Sequence, residues 1–309
     1  MELYQLRTFV KVADEGNLTR AAELLFTSQP AISAQIKALE DELGISLFER
    51  TSKGMKLTAK GQLLYTQAMG TLEAADSLKQ QAESLKGELV GELKIGVHTD
   101  FDFMRIGELH SLMGREHERI GLHFIASMTS LILPDLRKGK LDGGFFFGPC
   151  PYADLAVTEL CEVDMSVVGP ADWSDRLEGA DLPALVEQPW VYTSETCPFW
   201  KLMQDLFEPV GNDPKKVAFV DSEDAVRELV RAGAGLSLLR KTDALKLRTA
   251  GDVAYWQGEV PSIKLNFAVQ KNRVGEPLIR ALTDQIVSMW ATCQAGGANV
   301  KRMPNPKAG

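Results

Sequence analysis

Three polar side chains recur at four-residue spacing near the start of the chain: Gln29, Ser33 and Lys37. On an α-helix this spacing puts an amide, a hydroxyl and an ammonium group on one face. Amide and hydroxyl groups can bond to base edges, and an ammonium can pair with a phosphate. The pattern therefore predicts a nucleic-acid-binding helix, with an ordinary solvated helix face as the alternative.

A second set of polar residues follows short apolar runs farther along the chain. Thr99 and Asp100 follow LKIGV, residues 127–130 (SMTS) follow LHFIA, and Asp221 and Ser222 follow KVAFV. If these runs are strands, each polar group can cap the helix that comes next. The same helix end can present free amides to a ligand, so capping and ligand contact are both expected here.

Motifs for enzymatic or metal chemistry are missing from the sequence. It contains no HExxH, no GxSxG and no glycine-rich phosphate loop, and its cysteines form no CxxC pair. The four histidines have no metal-ligand spacing either. We expect no cofactor, no metal and no enzymatic activity, with an enzyme carrying a DNA-binding head as the residual alternative.

The elements around Gln29 form three predicted helices. The run LYQLRTFVKVAD has an apolar face and ends at Gly16, and Asn17 or Thr19 can cap the second helix. Ser28 can cap the third helix, in which Pro30 fits the first turn. Two short helices joined by a tight turn are typical of a helix-turn-helix.

The run ISLFERTSKGMKLTAKG predicts two short strands around a Thr-Ser-Lys-Gly turn, which form a β-wing. Arg50 and Lys53 would then lie where the wing meets the sugar-phosphate backbone. The formal net charge of the chain is −8, but residues 50–72 hold four basic side chains and no acidic one. A local positive edge on an acidic protein is compatible with DNA binding.

The run LTRAAELLFTSQPAISAQIKALEDELGISLFERTSKGMKLTAKG resembles the signature of LysR-type transcriptional regulators. The resemblance implies that Ser28, Gln29, Pro30 and Ser33 lie at the bases. One departure is Ala34, where many relatives carry arginine. The operator sequences of those relatives therefore do not predict the operator of this chain. The residues expected to contact DNA are Arg20, Ser28, Gln29, Pro30, Ser33, Lys37, Arg50, Thr51 and Lys53.

A long proline-free helix is predicted after the wing, from Thr58 to about Lys86. Its small and apolar residues alternate in steps of four and three, the pattern of heptad a and d positions. The expected dimerisation residues are Leu64, Ala68, Thr71, Ala75, Leu78, Ala82 and Leu85. Packing of this helix against its own domain is the alternative. The resemblance implies antiparallel pairing with a second copy, and a tetramer.

Beyond a GELVG break at residues 87–91, apolar runs alternate with helical segments, which predicts an α/β domain with largely parallel sheets. The resemblance implies two lobes like those of periplasmic binding proteins, crossed twice by the chain. The expected divisions are a winged helix-turn-helix over 1–58, a linker helix over 59–88, an effector domain over 89–294 (lobe one 92–162 plus 267–292, lobe two 163–266) and a flexible tail over 295–309.

A small-molecule effector is expected between the lobes. The residues expected to touch it are Thr99, Asp100, Ser127, Met128, Thr129, Thr193, Ser194, Thr196, Cys197 and Ser222. Many relatives bind carboxylates, but an ionised Asp100 would repel an anion, so a neutral or cationic effector stays open.

Two other functional classes stay open. Cys197 lies near the position where peroxide-sensing relatives carry a reactive cysteine, which makes a thiol-based redox sensor the first alternative. No second cysteine follows it closely, and Lys201, the nearest cation in sequence, is the candidate for lowering the pKa of its thiol. A DNA-bending protein without an effector is the other class.

The composition, 45% hydrophobic and 25% charged, is that of a soluble globular protein, and the N-terminus shows no secretory signal. We expect a cytoplasmic protein that does not bind membranes. Its expected partners are double-stranded DNA with paired half-sites, a small-molecule effector, further copies of the chain and RNA polymerase.

Overall fold

The computed structural model describes residues 1–51, 54–84, 89–98 and 100–291. The chain forms two compact units, which meet in sequence between residues 88 and 89. Three residues singled out from the sequence, Lys53, Leu85 and Thr99, lie outside the described residues, as does the predicted tail.

The first unit begins with three helices, α1 (Leu3–Glu15), α2 (Leu18–Leu24) and α3 (Gln29–Leu43). Asn17 caps α2 by accepting from the backbone N–H of Thr19 and Arg20. The Ser28 hydroxyl caps α3 by accepting from the N–H of Ala31. Both predicted caps are therefore confirmed, and the predicted stripe of α3 is buried at Ile32, Ile36 and Leu39.

The predicted wing is present as the antiparallel strands β1 (Phe48–Thr51) and β2 (Gly54–Leu57). A carboxylate oxygen of Glu40, on α3, accepts from the N–H of Leu47 at 2.6 Å and of Phe48 at 3.2 Å. Gly54 has a φ of 123°, and a Cβ there would lie 2.3 Å from the carbonyl oxygen of Gly16. Only glycine fits this close approach.

The long helix is α4 (Ala59–Ser84). Thr58 caps it, since its hydroxyl accepts from the N–H of Gly61 at 2.9 Å. Leu64 and Ala68 contradict the predicted dimer seam. Ala68 is only 5% exposed, and both residues pack into the core of their own unit together with residues of α1.

The helical repeat explains this correction. A heptad pattern fits any helix with one apolar face, and the early turns of α4 use that face inside the unit. Most of the later residues of the predicted seam are more exposed to solvent than Leu64 and Ala68. Thr71, Leu78 and Ala82 are exposed, and Ala75 is half-buried.

The second unit contains ten strands and eight helices in its described residues. The strands are β3 (Gly91–Val97), β4 (Ile120–Ala126), β5 (Gly143–Phe147), β6 (Leu155–Val163), β7 (Met165–Pro170), β8 (Pro189–Tyr192), β9 (Lys215–Phe219), β10 (Ser237–Arg240), β11 (Val253–Tyr255) and β12 (Ile263–Gln270). The helices are α5 (Ile106–Glu116), α6 (Thr129–Arg137), α7 (Ser174–Leu177), α8 (Leu182–Val186), α9 (Pro198–Phe207), α10 (Glu223–Arg231), α11 (Lys241–Thr249) and α12 (Pro277–Ala291).

Two groups of strands define two lobes. Lobe one has a five-stranded sheet in the order β4-β3-β5-β12-β6. Lobe two has the sheet β10-β7-β11 and the pair β8-β9, joined by a bridge between Trp190 and Leu236. The expectation of largely parallel sheets is wrong, because β12 runs antiparallel to β5 and β6, and β7 runs antiparallel to β10 and β11.

The chain passes from lobe one to lobe two between β6 and β7, around Asp164. It returns with β12, which pairs with β6 from Ile263 onward. The lobe boundary expected at residue 267 therefore falls inside this strand. No helix in the described parts of the chain combines the length and the apolar character needed to cross a bilayer.

Candidate functional site

The exposed face of α3 carries the polar residues singled out from the sequence. Gln29, Pro30 and Lys37 are exposed, and Ser33 is half-buried. Ser33 and Lys37 line a groove together with Arg50 of the wing. The fold thus brings the helix face and the wing to one surface, which the sequence pattern could not establish.

The other residues expected at DNA occupy different surroundings. The Ser28 hydroxyl already accepts the N–H of Ala31, at 3.3 Å, but it keeps a proton to donate. Arg20 is 72% exposed and pairs with Glu15 at 2.9 Å. Arg20 and Thr51 line a separate groove with Lys56.

A cleft between the two lobes contains most of the residues expected to touch an effector. Eight of the ten line it: Asp100, Met128, Thr129, Thr193, Ser194, Thr196, Cys197 and Ser222. Ser127 is not among the lining residues, and its backbone N–H donates to the carbonyl of Val97 at 2.8 Å.

Several lining residues were missed by the sequence analysis: His98, Phe147, Phe199, Glu223 and Arg240. A signal was available for Arg240, because it directly follows the apolar run GLSLL. His98 and Phe147 stand at the ends of strands in the same way. The strand ends predicted to form the site each contain a hydroxyl-bearing residue, and that criterion does not identify His98, Phe147 or Arg240.

Arg240 is the most buried charged group of the cleft, with 1% of its surface exposed. Its Nη2 lies 2.9 Å from Oε2 of Glu223 and 2.6 Å from Oδ2 of Asp243. The same nitrogen pairs with Oδ2 of Asp100, and the ring of Phe103 lies 4.0 Å from the guanidinium carbon. Asp100 belongs to lobe one and Arg240 to lobe two, so this ion pair spans the cleft.

The pKa values of two carboxyl groups beside Arg240 are shifted in opposite directions. Burial by itself would raise the pKa of Asp100, but hydrogen bonds from the Phe103 N–H and from Arg240 lower it overall. Burial raises the pKa of Glu223, and Arg240 only partly offsets this. Three carboxylates this close could hold a divalent ion, but here they surround a guanidinium that supplies the positive charge.

Three helices of the described chain begin at the cleft: α6, α9 and α10. Within the described residues, the N-cap residues of α6 and α10, Met128 and Ser222, make no side-chain capping hydrogen bond. At the start of α9, the N–H groups of Phe199 and Trp200 interact with the Cys197 thiol. The capping role expected of Ser222 is therefore wrong, and the Asp221 carboxylate accepts from the N–H of Ser194 instead. Helix N-termini without side-chain caps leave N–H groups for a ligand.

Aromatic rings and a histidine form an apolar part of the cleft. The ring of Phe147 lies 5.0 Å from that of His98 and 5.3 Å from that of Phe199. His98 Nε2 is 3.1 Å from the Thr129 hydroxyl, which also accepts from the N–H of Phe147. Burial lowers the pKa of His98 to about 4, with a further contribution from Arg240, so this ring is neutral at pH 7.

Cys197 lacks the properties of a reactive thiol. Burial raises the pKa of its thiol, and hydrogen bonding by neighbouring N–H groups and Thr193 only opposes that shift. Lys201, the candidate cation, pairs with Asp205. Because the thiolate is the reactive species, this environment does not favour redox sensing.

Comparison with known proteins gives two family matches that together span most of the chain. Residues 3–62 match a family described as a bacterial regulatory helix-turn-helix protein of the lysR family. Residues 86–291 match the LysR substrate binding domain.

Individual relatives agree with these matches. A RuBisCO operon transcriptional regulator of Allochromatium vinosum is 30% identical over 251 residues, covering 81% of this chain and 83% of that protein. The structure of a full-length OxyR variant from Pseudomonas aeruginosa has 25% identity and a TM-score of 0.69, covering 93% of this chain and 94% of that one. Full-length CbnR in complex with its target DNA has 22% identity and a TM-score of 0.61, covering 93% and 99%, and shows the shared fold.

The neutral state of His98 predicts a pH dependence of stability. Its folded pKa of about 4 lies below the ordinary 6.5, so between these values the unfolded chain takes up a proton that the folded chain does not. The free energy of unfolding should therefore fall as the pH drops through this window, by up to about 3 kcal/mol in total. Denaturant unfolding at pH 7 and pH 4.5 measures the fall, which His98→Gln should reduce.

The matched control is His110→Gln, which replaces an exposed histidine on α5. It should leave the pH dependence as it is in the unaltered chain. An equally large fall in His98→Gln would contradict the assignment of this effect to His98.

Proposed function

Because this chain belongs to the LysR family of transcriptional regulators, we propose that it reads DNA with α3 and the wing and senses an effector in the cleft between its lobes. A DNA-binding regulator controlled by an effector is the function of this family. The observation that carries the proposed DNA contact is the groove shared by Ser33 and Lys37 of α3 and Arg50 of the wing.

Each side chain of this surface suits a different part of the duplex. The amide of Gln29 can both donate to and accept from a base edge, at the end of α3 that would enter the major groove. Arg50, on the wing, carries a guanidinium that would neutralise a phosphate. Sequence preference would thus depend on α3, and much of the affinity on the wing.

Paired substitutions separate these two roles. Gln29→Ala should reduce the ratio of the affinities for operator and random DNA by about tenfold, because a bidentate base contact is worth about 1–3 kcal/mol. Arg50→Ala should weaken binding to both DNAs alike and reduce the slope of log affinity against log salt by about 1. Fluorescence anisotropy at several salt concentrations measures both effects. If the two variants behaved identically, the division of roles would be wrong.

The later part of α4 supports a proposal of pairing with a second copy of the chain. Leu78 is 69% exposed, and Thr71 and Ala82 are exposed on the same predicted seam. Leu64 and Ala68, in contrast, pack into the core of their own unit. A large apolar side chain in the middle of a helix surface is stabilised when a partner helix covers it. A dimer would also present two copies of α3 to paired half-sites, and would be the form that meets RNA polymerase.

A charge placed in this seam tests the pairing. Leu78→Glu should shift the full chain from dimer or tetramer toward monomer in sedimentation velocity, and should shorten the DNA footprint from two half-sites to one. Lys79→Glu changes the charge of the neighbouring exposed position and serves as the control. If Leu78→Glu sedimented like the unaltered chain, this seam would not be the surface through which two copies pair.

The chemistry of the cleft favours an effector with a carboxylate and a compact apolar body. The N-terminus of α6 offers N–H groups without a side-chain cap among the described residues, next to the hydroxyls of Thr129 and Ser130. Phe147 and Phe199 offer apolar surface from the two lobes. Repulsion by Asp100 is reduced by its ion pair with Arg240, although Glu223 and Asp243 share that guanidinium. Burial raises the pKa of Glu223, which favours the neutral form of this second carboxyl group.

Such an effector would contact both lobes and so control how they close. Thr129 belongs to lobe one and Thr193 to lobe two, and both hydroxyl-bearing side chains line the cleft. A ligand that binds only the closed arrangement shifts the lobes toward it by its difference in affinity between the two states. The pairing of Asp100 with Arg240 would set the starting point of that equilibrium.

Ligands that differ only in their charged group test this proposal. Aliphatic and aromatic skeletons, each supplied as acid, amine and alcohol, are screened by thermal shift with the full chain. Acids of at least one skeleton should stabilise the protein, by about 2.7 kcal/mol at a concentration 100 times the Kd. Thr193→Val should reduce that shift, whereas Thr249→Val, which removes an exposed hydroxyl of α11, should not. Stabilisation by amines alone would contradict the proposed carboxylate.

A further inference from the structure

Phe26 is the most exposed large apolar residue of the described chain, with 98% of its surface in contact with solvent. It lies in the turn between α2 and α3, two residues before the Ser28 cap. Its φ is +52°, and Arg105 is the only other described non-glycine residue with a positive φ. A bulky side chain in this backbone region is a marked exception.

The turn itself imposes this backbone conformation. The N–H of Phe26 donates to the carbonyl of Glu23 at 3.2 Å, and the N–H of Thr27 donates to that of Ala22 at 3.0 Å. Asparagine or glycine would adopt the left-handed conformation more easily and would expose no apolar ring. For folding alone, phenylalanine is therefore a poor choice at this position.

The surroundings of Phe26 indicate what would cover the ring. Ser28, Gln29 and Pro30 follow it, all exposed, at the end of α3 proposed to enter the major groove. A phenyl ring has no hydrogen-bonding group, so it cannot bind a phosphate or a polar base edge. The apolar group that DNA presents in the major groove is the C5-methyl of thymine, which phenylalanine can contact.

We propose that Phe26 reads a thymine methyl at the edge of the base pairs contacted by the start of α3. The inference rests on the proposed DNA-binding surface and adds to it a specificity-determining residue outside the helix. It explains why an exposed ring is kept in an unfavourable backbone conformation. The contact is apolar, so it should contribute sequence preference without adding to the salt dependence of binding.

The test combines a protein variant with a change in the DNA. An operator is first selected from random DNA with the full chain, and each thymine in it is then replaced by deoxyuridine, which lacks the methyl group. At one position per half-site, the replacement should weaken binding by the unaltered chain about fourfold, the value of one buried methyl. Phe26→Asn should bind the original operator about tenfold more weakly and should be insensitive to that replacement.

Two further measurements separate this contact from a general loss of structure. The melting temperature of Phe26→Asn should equal or exceed that of the unaltered chain, because asparagine suits the left-handed conformation. Phe26→Leu should keep part of the response to deoxyuridine. Leu43→Asn, at the far end of α3, is the matched control and should leave the response intact.

Several outcomes would contradict the thymine contact. If Phe26→Asn bound the operator as tightly as the unaltered chain, or if it kept the full response to deoxyuridine, the inference would be overturned. A tenfold loss without any thymine dependence would assign the ring to the sugar-phosphate backbone and would also overturn it. Failure to select any operator would overturn the proposed function itself, which is a distinguishable outcome.

Discussion

The buried guanidinium of Arg240 is surrounded by carboxylates from both lobes of the second unit. An ion removed from water is costly unless charges of opposite sign surround it, and loss of one partner of such a pair typically costs about 3–5 kcal/mol. Glu223 and Asp243 come from the helices that flank β10, but Asp100 comes from the other lobe. The arrangement of the lobes and the electrostatics of the cleft therefore depend on the same guanidinium.

The properties of the cleft follow from this interaction. The charge of Asp100 is turned toward Arg240, and the helix N-termini and hydroxyls line the same cleft beside this paired carboxylate. Burial keeps His98 neutral, with help from the same positive charge, and able to share a hydrogen bond with Thr129. Within the described residues, Nε and Nη1 of Arg240 are buried without a hydrogen-bond partner, so the three carboxylates do not use all the donors of this guanidinium.

The sequence was most informative where the signal is local. Caps at Asn17 and Ser28, the wing and most strands could be predicted because a few adjacent residues determine them. The direction of β12 could not, since it depends on pairing with strands about 100 residues earlier in the chain. The position of Arg240 after an apolar run was a local signal, but its pairing with Asp100 could not be predicted, because the two residues are 140 positions apart and no periodicity connects them. Leu64 and Ala68 show that a heptad does not tell which surface covers it.

The first unit fixes the wing largely without the side chains that are proposed to contact DNA. Backbone groups do this: the N–H of Met55 donates to the carbonyl of Gly16 at 2.8 Å, and that of Thr58 to Leu47 at 2.9 Å. Glu40 adds its carboxylate from inside the groove, accepting from the start of β1. Arg50 is thereby placed beside α3 by contacts that do not involve its own guanidinium. The proposed contact of this guanidinium with a phosphate would therefore not weaken the wing.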